Sequence, residues 1–525
     1  LSLRSFLSSY YSANPKDFYI ADYPVNVDYE VTAHYVLLKT FNPIIKFPKL
    51  IGYKDFELVT NIMGDEKRVL SVMGVGSLPD AENAWNRIIR EAGKPSYTTQ
   101  AQVKQIVQTE DLDLFSLPIP RHFEQDGMHR GFGKYITGGV TTAKDPETGT
   151  INLSFTRIQP FSKNEFAFDA GSRGHLWNYL NKAKRLEINL EISVIIGLHP
   201  LLYLLAASFL ENEYEKAASL IPLTLTDGIK NKIPVPADSE IVIEAEAIGE
   251  EFDEGPFSEY TGFVGQDSTK NVARVKSIFR RRKAIYYDIQ PSNSNEHLTL
   301  FTFSRHSRAA EAISTFMPPG ARYSVRWPPS ASNYVALASI NKAKPALAKQ
   351  LGLLLLSSDP LFSKIVIVNE EDTPLTIFSS LANIAASYEA SRVQVIKGLY
   401  SIRSNPTSEG YRGDRALIIT RGSGKYAIKR GNGWIEIKPD FGPGSAIVSY
   451  SRPQSGTVRV QLNPKIPMEE EEITWALAML VNPGIDVRAH KDYLSISASR
   501  SLGEIPSLPK GALSSALKKI ENRSP

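Results

Sequence analysis

Two carboxylates flank a Gly-Pro turn in the segment Glu254-Gly-Pro-Phe-Ser-Glu259. Such a rigid turn fixes the geometry of the residues on either side, which an ordinary surface loop does not require. Upstream, the segment Asn152-Leu-Ser-Phe-Thr-Arg157 ends in an arginine among apolar neighbours, and a cation in such surroundings needs a carboxylate or phosphate partner. These residue types indicate an acid–base site. Arg157 would pair with one carboxylate, a second carboxylate would be free to carry a proton, and the amide of Asn152 could reach a metal.

The arginine segment has the alternation of a strand, which would divide its residues between two faces. Those faces are Asn152, Ser154 and Thr156 on one side and Leu153, Phe155 and Arg157 on the other. Two further polar residues are less specific: His175 stands at a helix start, and Glu213 lies in an acidic run. By type alone, such a histidine is more often structural and such a glutamate more often solvent-exposed.

The composition excludes several other chemistries. The chain has 525 residues and no cysteine, which excludes disulfides, a thiol nucleophile and Cys-ligated zinc or iron–sulfur clusters, so that any metal must be held by nitrogen and oxygen ligands. The sequence has no P-loop, no G-x-S-x-G and no H-E-x-x-H motif. A net charge of +4, spread without a block of like charges, argues against a nucleic-acid-binding protein.

The same reasoning predicts a cytoplasmic protein. The first residues lack the basic segment and long apolar run of a signal peptide. The longest apolar stretch, residues 195–210, contains His199 and Pro200 and is too short to cross a bilayer. The absence of Cys, the six Met and the abundant Lys, Arg, Glu and Ile suit a heat-adapted organism.

The helical and strand patterns that surround these residues predict an α+β chain with three domains. Residues 1–115 mix helical and strand patterns and form an α/β region, and residues 116–300 are β-rich with helices inserted at about 175–184 and 200–211. Residues 301–525 return to an α/β pattern. Two strand-then-helix units in this last region, beginning at Lys364 and Val458, resemble each other loosely, so an internal duplication is one interpretation.

Several segments, in this order, resemble the UbiD family of decarboxylases, which use prenylated flavin mononucleotide (prenylated FMN). The segments are 42–47, 111–120, 134–149, 152–157, 235–244 and 254–262. The resemblance implies that residues 116–300 are a split β-barrel that binds the flavin and that residues 301–525 carry an oligomerisation helix near Trp475. It also implies a homodimer or homohexamer and a flavin prenyltransferase that supplies the cofactor.

The resemblance assigns roles to individual residues. Asn152, His175 and Glu213 would bind Mn²⁺ or Mg²⁺, which also holds the flavin phosphate, and the carbonyls of residues 207–209 are candidates for a K⁺ site. Arg157 would lie beside the flavin ring, paired with Glu254, and Glu259 would be the proton donor. The remaining cofactor-binding positions are Ser154, Phe155, Thr156 and Gly174.

The implied function is the reversible, non-oxidative decarboxylation of an α,β-unsaturated or aromatic acid. One candidate substrate is trans-anhydromevalonate 5-phosphate, whose phosphate could meet His129 and Arg130 in an insertion at residues 127–132. Hydroxybenzoates are the other substrate class. A catalytically silent paralogue that binds flavin or serves as an assembly partner is the alternative outside enzymology, and the retained Arg157, Glu254 and Glu259 argue against it.

Overall fold

The computed structural model describes most of the chain, and the described ranges are 1–127, 132–171, 174–208, 210–266, 268–318, 320–341, 345–358, 363–401, 405–407, 412–421, 426–439 and 456–522. The chain divides into two compact units, one of residues 1–300 together with 504–525 and one of residues 301–503. The second unit is therefore shorter than the predicted domain of 301–525, since the last residues return to the first unit. The division of the first unit at residue 115 stays a prediction.

Helices occur throughout the chain: α1 Leu3–Ala13, α2 Glu30–Leu38, α3 Glu66–Met73, α4 Leu78–Arg90, α5 His175–Arg185, α6 Pro200–Ala206, α7 Glu213–Ala218, α8 Asn295–Phe316, α9 Pro345–Ser358, α10 Ile377–Ala386, α11 Glu470–Leu480, α12 Pro483–Asp486 and α13 Lys510–Glu521. Short 3₁₀ turns span Pro15–Asp17, Gln102–Lys104, Leu114–Ser116, Pro329–Ala331 and Ala390–Arg392. No helix in the described ranges combines the length and the apolar character that crossing a bilayer requires.

The strands of the first unit are β1 Phe18–Ile20, β2 Ile44–Phe47, β3 Phe56–Thr60, β4 Ser96–Tyr97, β5 Ile106–Gln108, β6 Gly139–Lys144, β7 Ile151–Phe155, β8 Ile158–Pro160, β9 Glu165–Phe168, β10 Leu190–Ile196, β11 Thr224–Asp227, β12 Pro234–Pro236, β13 Ile241–Glu254, β14 Ser268–Arg280 and β15 Ala284–Asp288. The strands of the second unit are β16 Tyr323–Arg326, β17 Val335–Ile340, β18 Ile365–Asn369, β19 Val393–Tyr400, β20 Arg412–Thr420, β21 Tyr426–Gly431, β22 Trp434–Pro439, β23 Thr457–Leu462, β24 Val487–Ala489 and β25 Tyr493–Ala498.

An eight-stranded sheet forms the centre of the first unit, in the order β7-β6-β10-β13-β14-β9-β8 with β5 also paired to β14. Its middle strands are rich in Ile and Val, which suit a buried pleated surface, and β10 is buried along most of its length. Within the described residues the strands follow an open path and do not close into a barrel. The mixed α/β character of the fold is as predicted, whereas the described strands do not confirm the split β-barrel that the resemblance implies for residues 116–300. An isolated bridge joins Ile136, in the segment before β6, to Ile158 at the start of β8.

Two smaller sheets and a buried helix complete the first unit. The sheets have the orders β1-β2-β3-β15 and β12-β11-β4, and α13 packs against α2. The long apolar stretch at residues 195–210 becomes the end of β10 and the whole of α6, in which every residue is buried. Pro200 opens that helix, where a missing N–H is tolerated. The helix ends at Ala206, earlier than the predicted residue 211.

The second unit contains the same β-α-β-β connection twice. In the first copy, β18 leads through α10 to β19 and β20, with β20 parallel to β18 and β19 antiparallel at the edge. In the second copy, β23 leads through α11 to β24 and β25, with the same parallel and antiparallel pairings. The topology supports the interpretation of an internal duplication.

Helices α10 and α11 lie between the two five-stranded sheets of this unit. Each helix contacts strands of both sheets, α10 touching β20 and β22, and α11 touching β17 and β25. Their starts are joined because the Phe378 amide donates to Glu470 Oε1 at 2.8 Å. The two copies therefore share one core.

Candidate active site

Arg157 lies in the short connection between β7 and β8, and Glu254 is the last residue of β13. The Asp169 amide donates to the Arg157 carbonyl at 3.1 Å, which fixes the backbone of that connection. Glu254 pairs with Ser268 at the start of β14, so the Gly-Pro turn belongs to the loop between β13 and β14. The central sheet therefore brings together two segments that lie 97 residues apart in sequence.

The Arg157 guanidinium binds both carboxylates of the turn. Its Nε donates to Glu254 Oε1 at 2.8 Å, its Nη2 donates to Glu254 Oε2 at 2.8 Å, and its Nη1 donates to Glu259 Oε1 at 2.6 Å. The Glu254 side chain is 1% exposed, against 17% for Arg157 and 24% for Glu259. Glu259 is the more accessible carboxylate, and Arg157 pairs with both carboxylates where the sequence predicted a pair with one. A proton on Oε1 would break this charge-assisted bond.

The surroundings of the guanidinium are partly apolar and charged. Its carbon lies 5.1 Å from the centre of the Phe257 ring. Burial opposes the charge of Arg157, but the charges of Glu259 and Glu254 outweigh this and raise its pKa well above the ordinary value. Burial raises the pKa of Glu254, and the attraction of Arg157 only partly offsets it. The site therefore holds a permanent cation against one strongly desolvated carboxylate.

The three predicted metal ligands lie near one another around β7. Asn152 and Ser154 share a strand face, as predicted, because the Asn152 amide donates to Ser154 Oγ at 2.7 Å. The Nδ1 of His175, at the start of α5, lies 2.9 Å from Asn152 Oδ1 and must donate to it. Glu213 opens α7, and the Asn212 amide before it donates to the Ile151 carbonyl at 3.2 Å.

The Glu213 carboxylate gives the strongest indication that a cation belongs at this position. The residue is fully buried, and neither carboxylate oxygen has a hydrogen-bond partner in the described part of the chain. Burial raises its pKa well above the ordinary value, although the backbone amides of Glu213 and Leu153 lie close enough to oppose this. A buried carboxylate without partners is costly unless a cation compensates it. The described residues contain no group of three or more His, Cys, Asp or Glu side chains that could hold a metal ion, so the predicted ligand set depends on the amide of Asn152. Its oxygen and nitrogen donors fit a hard divalent ion.

The other predicted cofactor positions surround β7. Ser154 and Phe155 are partly exposed, and the Phe155 ring lies 5.6 Å from that of Tyr203. Thr156 is buried and bonded to Thr141 at 2.6 Å between Oγ atoms, while Gly174 caps α5. Ala207 and Ser208 follow α6. Phe209, His129 and Arg130 lie outside the described residues.

Sequence reasoning missed a further ion pair and a histidine at this site. Lys270 binds Asp169 at 2.8 Å; burial would raise the pKa of Asp169, but the charges of Arg157 and Lys270 bring it below its ordinary value. His297 lies on α8, close enough to Glu259 for the carboxylate charge to affect its pKa. Burial lowers the pKa of His297, whereas the hydrogen bond with the Ser292 carbonyl and the charge of Glu259 act to raise it. Nothing local in the sequence distinguishes these residues from surface charges.

Residues 95–294 match the family described as UbiD, the 3-octaprenyl-4-hydroxybenzoate carboxy-lyase Rift-related domain. The chain is 30% identical over 267 residues to the anhydromevalonate phosphate decarboxylase of Methanothermobacter thermautotrophicus, covering 49% of this chain and 60% of that protein. Its alignments span 53%, 43% and 60% of three curated relatives, about half of their length.

Solved structures give a longer match. The UbiD-class enzyme HmfF from Pelotomaculum thermopropionicum, in complex with FMN, has a TM-score of 0.74 at 27% identity and covers 81% of this chain and 94% of that one. An evolved dimeric form of the same enzyme, in complex with prenylated FMN, has a TM-score of 0.71 at 26% identity and covers 80% of this chain and 94% of that one. These matches identify the chain as a protein with a UbiD family domain at residues 95–294, as its motifs predicted.

Proposed function

We propose that this protein is a carboxy-lyase that uses prenylated FMN to decarboxylate an α,β-unsaturated or aromatic carboxylic acid without net oxidation. The observation that carries the proposal is the contact of one guanidinium with two carboxylates, one buried and one accessible, beside a strand that also presents Asn152. The similarity to UbiD-class enzymes with FMN and prenylated FMN supports it.

When bound, prenylated FMN supplies the electron sink for the carbon that loses CO₂. The chain's own residues then have three tasks. Arg157, held by the buried Glu254, would fix positive charge beside the flavin and orient the substrate carboxylate. Glu259, the more exposed carboxylate, would give up its bond to Arg157, take up a proton from solvent and deliver that proton to the substrate carbon that has lost CO₂.

The metal would be held by Asn152, His175 and Glu213, and Mn²⁺ or Mg²⁺ fits their oxygen and nitrogen donors. The carbonyls of Ala207 and Ser208 are the proposed K⁺ ligands among the described residues. The metal would neutralise Glu213 and fix the flavin phosphate, for which these side chains alone provide no cationic group.

Among substrates, we propose trans-anhydromevalonate 5-phosphate first. The 30% identity to a decarboxylase named for this compound supports it, although that match covers 60% of the relative. Aromatic acids such as hydroxybenzoates are the second class, and a substrate panel separates the two.

The test is to produce the chain together with a flavin prenyltransferase, record the absorption spectrum, and measure CO₂ release from both substrate classes with and without Mn²⁺. Glu259→Gln should abolish turnover and leave the flavin spectrum intact. Glu165→Gln, which removes a carboxylate paired with Arg274 at 3.0 Å on the surface of the same sheet, is the matched control. A protein that binds flavin but releases no CO₂ from any substrate would indicate a silent paralogue. Full activity in Glu259→Gln would rule out its role as proton donor.

A further inference from the structure

The turn that carries both carboxylates is held from outside by a network of buried hydrogen bonds. The Gly255 amide donates to Gln159 Oε1 at 3.1 Å, and the Tyr135 hydroxyl donates to the Gly255 carbonyl at 2.9 Å. The Gly127 amide donates to the Pro256 carbonyl at 2.7 Å. These contacts fix the half of the turn next to Glu254.

In the half next to Glu259, the Ser292 amide donates to the Ser258 carbonyl at 2.9 Å and the Gly265 amide donates to the Phe257 carbonyl at 2.7 Å. One side chain, that of Asp126, binds the amide and the hydroxyl of Ser258. Asp126 Oδ1 accepts from both the amide of Ser258, at 3.0 Å, and its hydroxyl, at 2.8 Å. Asp126 Oδ2 accepts from the Phe123 amide at 3.1 Å. Asp126 and Ser258 are both fully buried, so water does not compete for these bonds. Ser258 immediately precedes Glu259, and its position determines where the Glu259 side chain starts.

These contacts require a side chain that accepts hydrogen bonds at both of its terminal atoms. All three partners are donors, and a carboxylate accepts at both oxygens, whereas an asparagine would turn an NH₂ group toward at least one donor. Burial raises the pKa of Asp126, and the charge of His122 with the Ser258 and Phe123 bonds opposes this. A buried donor that loses its acceptor is destabilising. Burying Asp126 is therefore unfavourable by itself, and its hydrogen bonds to the turn compensate for this.

We infer that Asp126 is a positioning residue that holds Ser258 and thereby aims the Glu259 carboxylate at the Arg157 guanidinium. Asp126 contacts the turn and neither carboxylate, so it acts through Ser258. Its effect on catalysis rests on the proposed function, whereas its effect on the turn does not.

The first test measures the turn directly, in protein without cofactor. Amide hydrogen exchange of a peptide covering residues 254–266 should be faster in Asp126→Asn and, to a smaller extent, in Ser258→Ala, which removes only the hydroxyl contact. Asp65→Asn is the matched control, because Asp65 also accepts from a backbone amide, that of Arg68 at 2.9 Å, at the start of α3. Unchanged exchange in a folded Asp126→Asn would overturn the inference. If that variant does not fold, unchanged exchange in Ser258→Ala would overturn it.

The second test measures turnover of the loaded enzyme. We expect Asp126→Asn to lower kcat by about 10-fold or more, because the proton donor is displaced from its position. The KM of the variant should stay within about twofold of wild type, and its flavin spectrum should be unchanged. A loss that appears only in KM would contradict the positioning role. If the loaded wild-type protein is inactive, the proposed function fails, and the exchange measurement still decides whether Asp126 holds the turn.

Discussion

Arg157 is shared between two carboxylates, so the three side chains together have one acidic group more than basic groups. The buried Glu254 binds two of the three guanidinium nitrogens, Nε and Nη2, and the third, Nη1, binds Glu259. A buried ion pair of this kind is weak evidence for stability, because desolvation offsets much of the attraction. Its geometry is better explained by the need to hold the guanidinium in one orientation.

We therefore expect Glu254→Gln to impair function more than folding. The amide accepts from the guanidinium at one atom only, so Arg157 should tilt toward Glu259 and away from its present position. A misplaced charge at the reacting centre lowers turnover by about 100-fold. Steady-state kinetics of the variant and of the surface control Glu165→Gln measure the effect, and equal rates in both would show that the orientation of Arg157 is unimportant.

Glu213 provides a prediction that does not require activity. Its raised pKa means that the metal-free fold loses stability as pH rises above the ordinary glutamate value, because the charge must form in a buried site. Glu213→Gln should remove that loss and make the metal-free protein at least as stable at pH 8, while eliminating stabilisation by Mn²⁺.

Thermal unfolding with and without Mn²⁺ tests this at pH 8. Glu215→Gln, an exposed position on the same helix, should behave as wild type in both conditions. A Glu213→Gln protein that Mn²⁺ still stabilises like wild type would place the metal elsewhere.

Glu296 should make the free energy of unfolding depend on pH, and the direction follows from its raised pKa. It accepts from the amides of Asn61 and Met63 and from Tyr287, and burial raises its pKa to about 7. Because the folded pKa exceeds the unfolded one, its contribution is complete below pH 4.5 and is lost as pH rises to about 7, a change of about 3 kcal/mol. Chemical denaturation at pH 5 and pH 8 should show a smaller difference in Glu296→Gln than in wild type. An identical difference would contradict the raised pKa.

At the scale of elements, the duplicated β-α-β-β connection makes the second unit depend on contacts between its copies. Gly484, on α12 of the second copy, has no space for a side chain: a Cβ there would lie 1.7 Å from Asp414 Oδ2, on β20 of the first copy. Asp414 cannot simply turn away, because its Oδ1 accepts from the Gly398 amide at 2.9 Å.

Gly484→Ala should therefore destabilise the second unit by about 1–3 kcal/mol through overpacking. Gly511→Ala is the control, since a Cβ there meets nothing within 4 Å and alanine favours a helix. Thermal unfolding, with proteolysis to identify the unit that opens first, measures the effect. Equal midpoints for the two variants would mean that the copies do not share a core.

The sequence predicted elements well where a local pattern specifies them. Helix α5 begins at the predicted His175 and ends at Arg185, one residue beyond the predicted end, and strand β18 begins at Ile365, one residue after the predicted start at Lys364. The sharing of Arg157 between Glu254 and Glu259 was not predictable, because these two partners lie 97 and 102 residues away from it in sequence. Likewise, no local signal joins Asp126 to Ser258, which is 132 residues away; such pairs depend on sheet register, which a single sequence does not specify.

At the scale of the whole molecule, residues 504–525 belong to the same compact unit as residues 1–300. The Val264 amide, in the loop after the Gly-Pro turn, donates to the Glu504 carbonyl at 2.8 Å, and the Glu124 amide donates to the Ser507 carbonyl at 2.9 Å. The last segment thus contacts both the loop of the carboxylates and the segment that contains Asp126. Residues 504–525 are in this way part of the support of the candidate site.

The anchor of this segment is the contact of α13 with Glu30 on α2. Lys519 Nζ donates to Glu30 Oε2 at 2.8 Å and to the Pro24 carbonyl at 2.9 Å, and the Ser515 hydroxyl also donates to Glu30. Burial would raise the pKa of Glu30, but the bonds from Lys519 and Ser515 bring it below its ordinary value. The anchor therefore stabilises the fold above the ordinary pKa of a glutamate and is lost as pH falls through the folded value.

The double variant Ser515→Ala/Lys519→Ala should lower the thermal midpoint at pH 7 and have a smaller effect at pH 4, where Glu30 becomes protonated in the unfolded chain and the contribution of the anchor begins to decline. The neighbouring double variant Ser514→Ala/Lys518→Ala changes the same residue types at exposed positions and should match wild type at both pH values. Hydrogen exchange of residues 254–266 should rise in the first variant only, since its C-terminal segment no longer holds Val264. If the midpoint falls equally at both pH values, the anchor acts by packing and the ion pair with Glu30 contributes nothing.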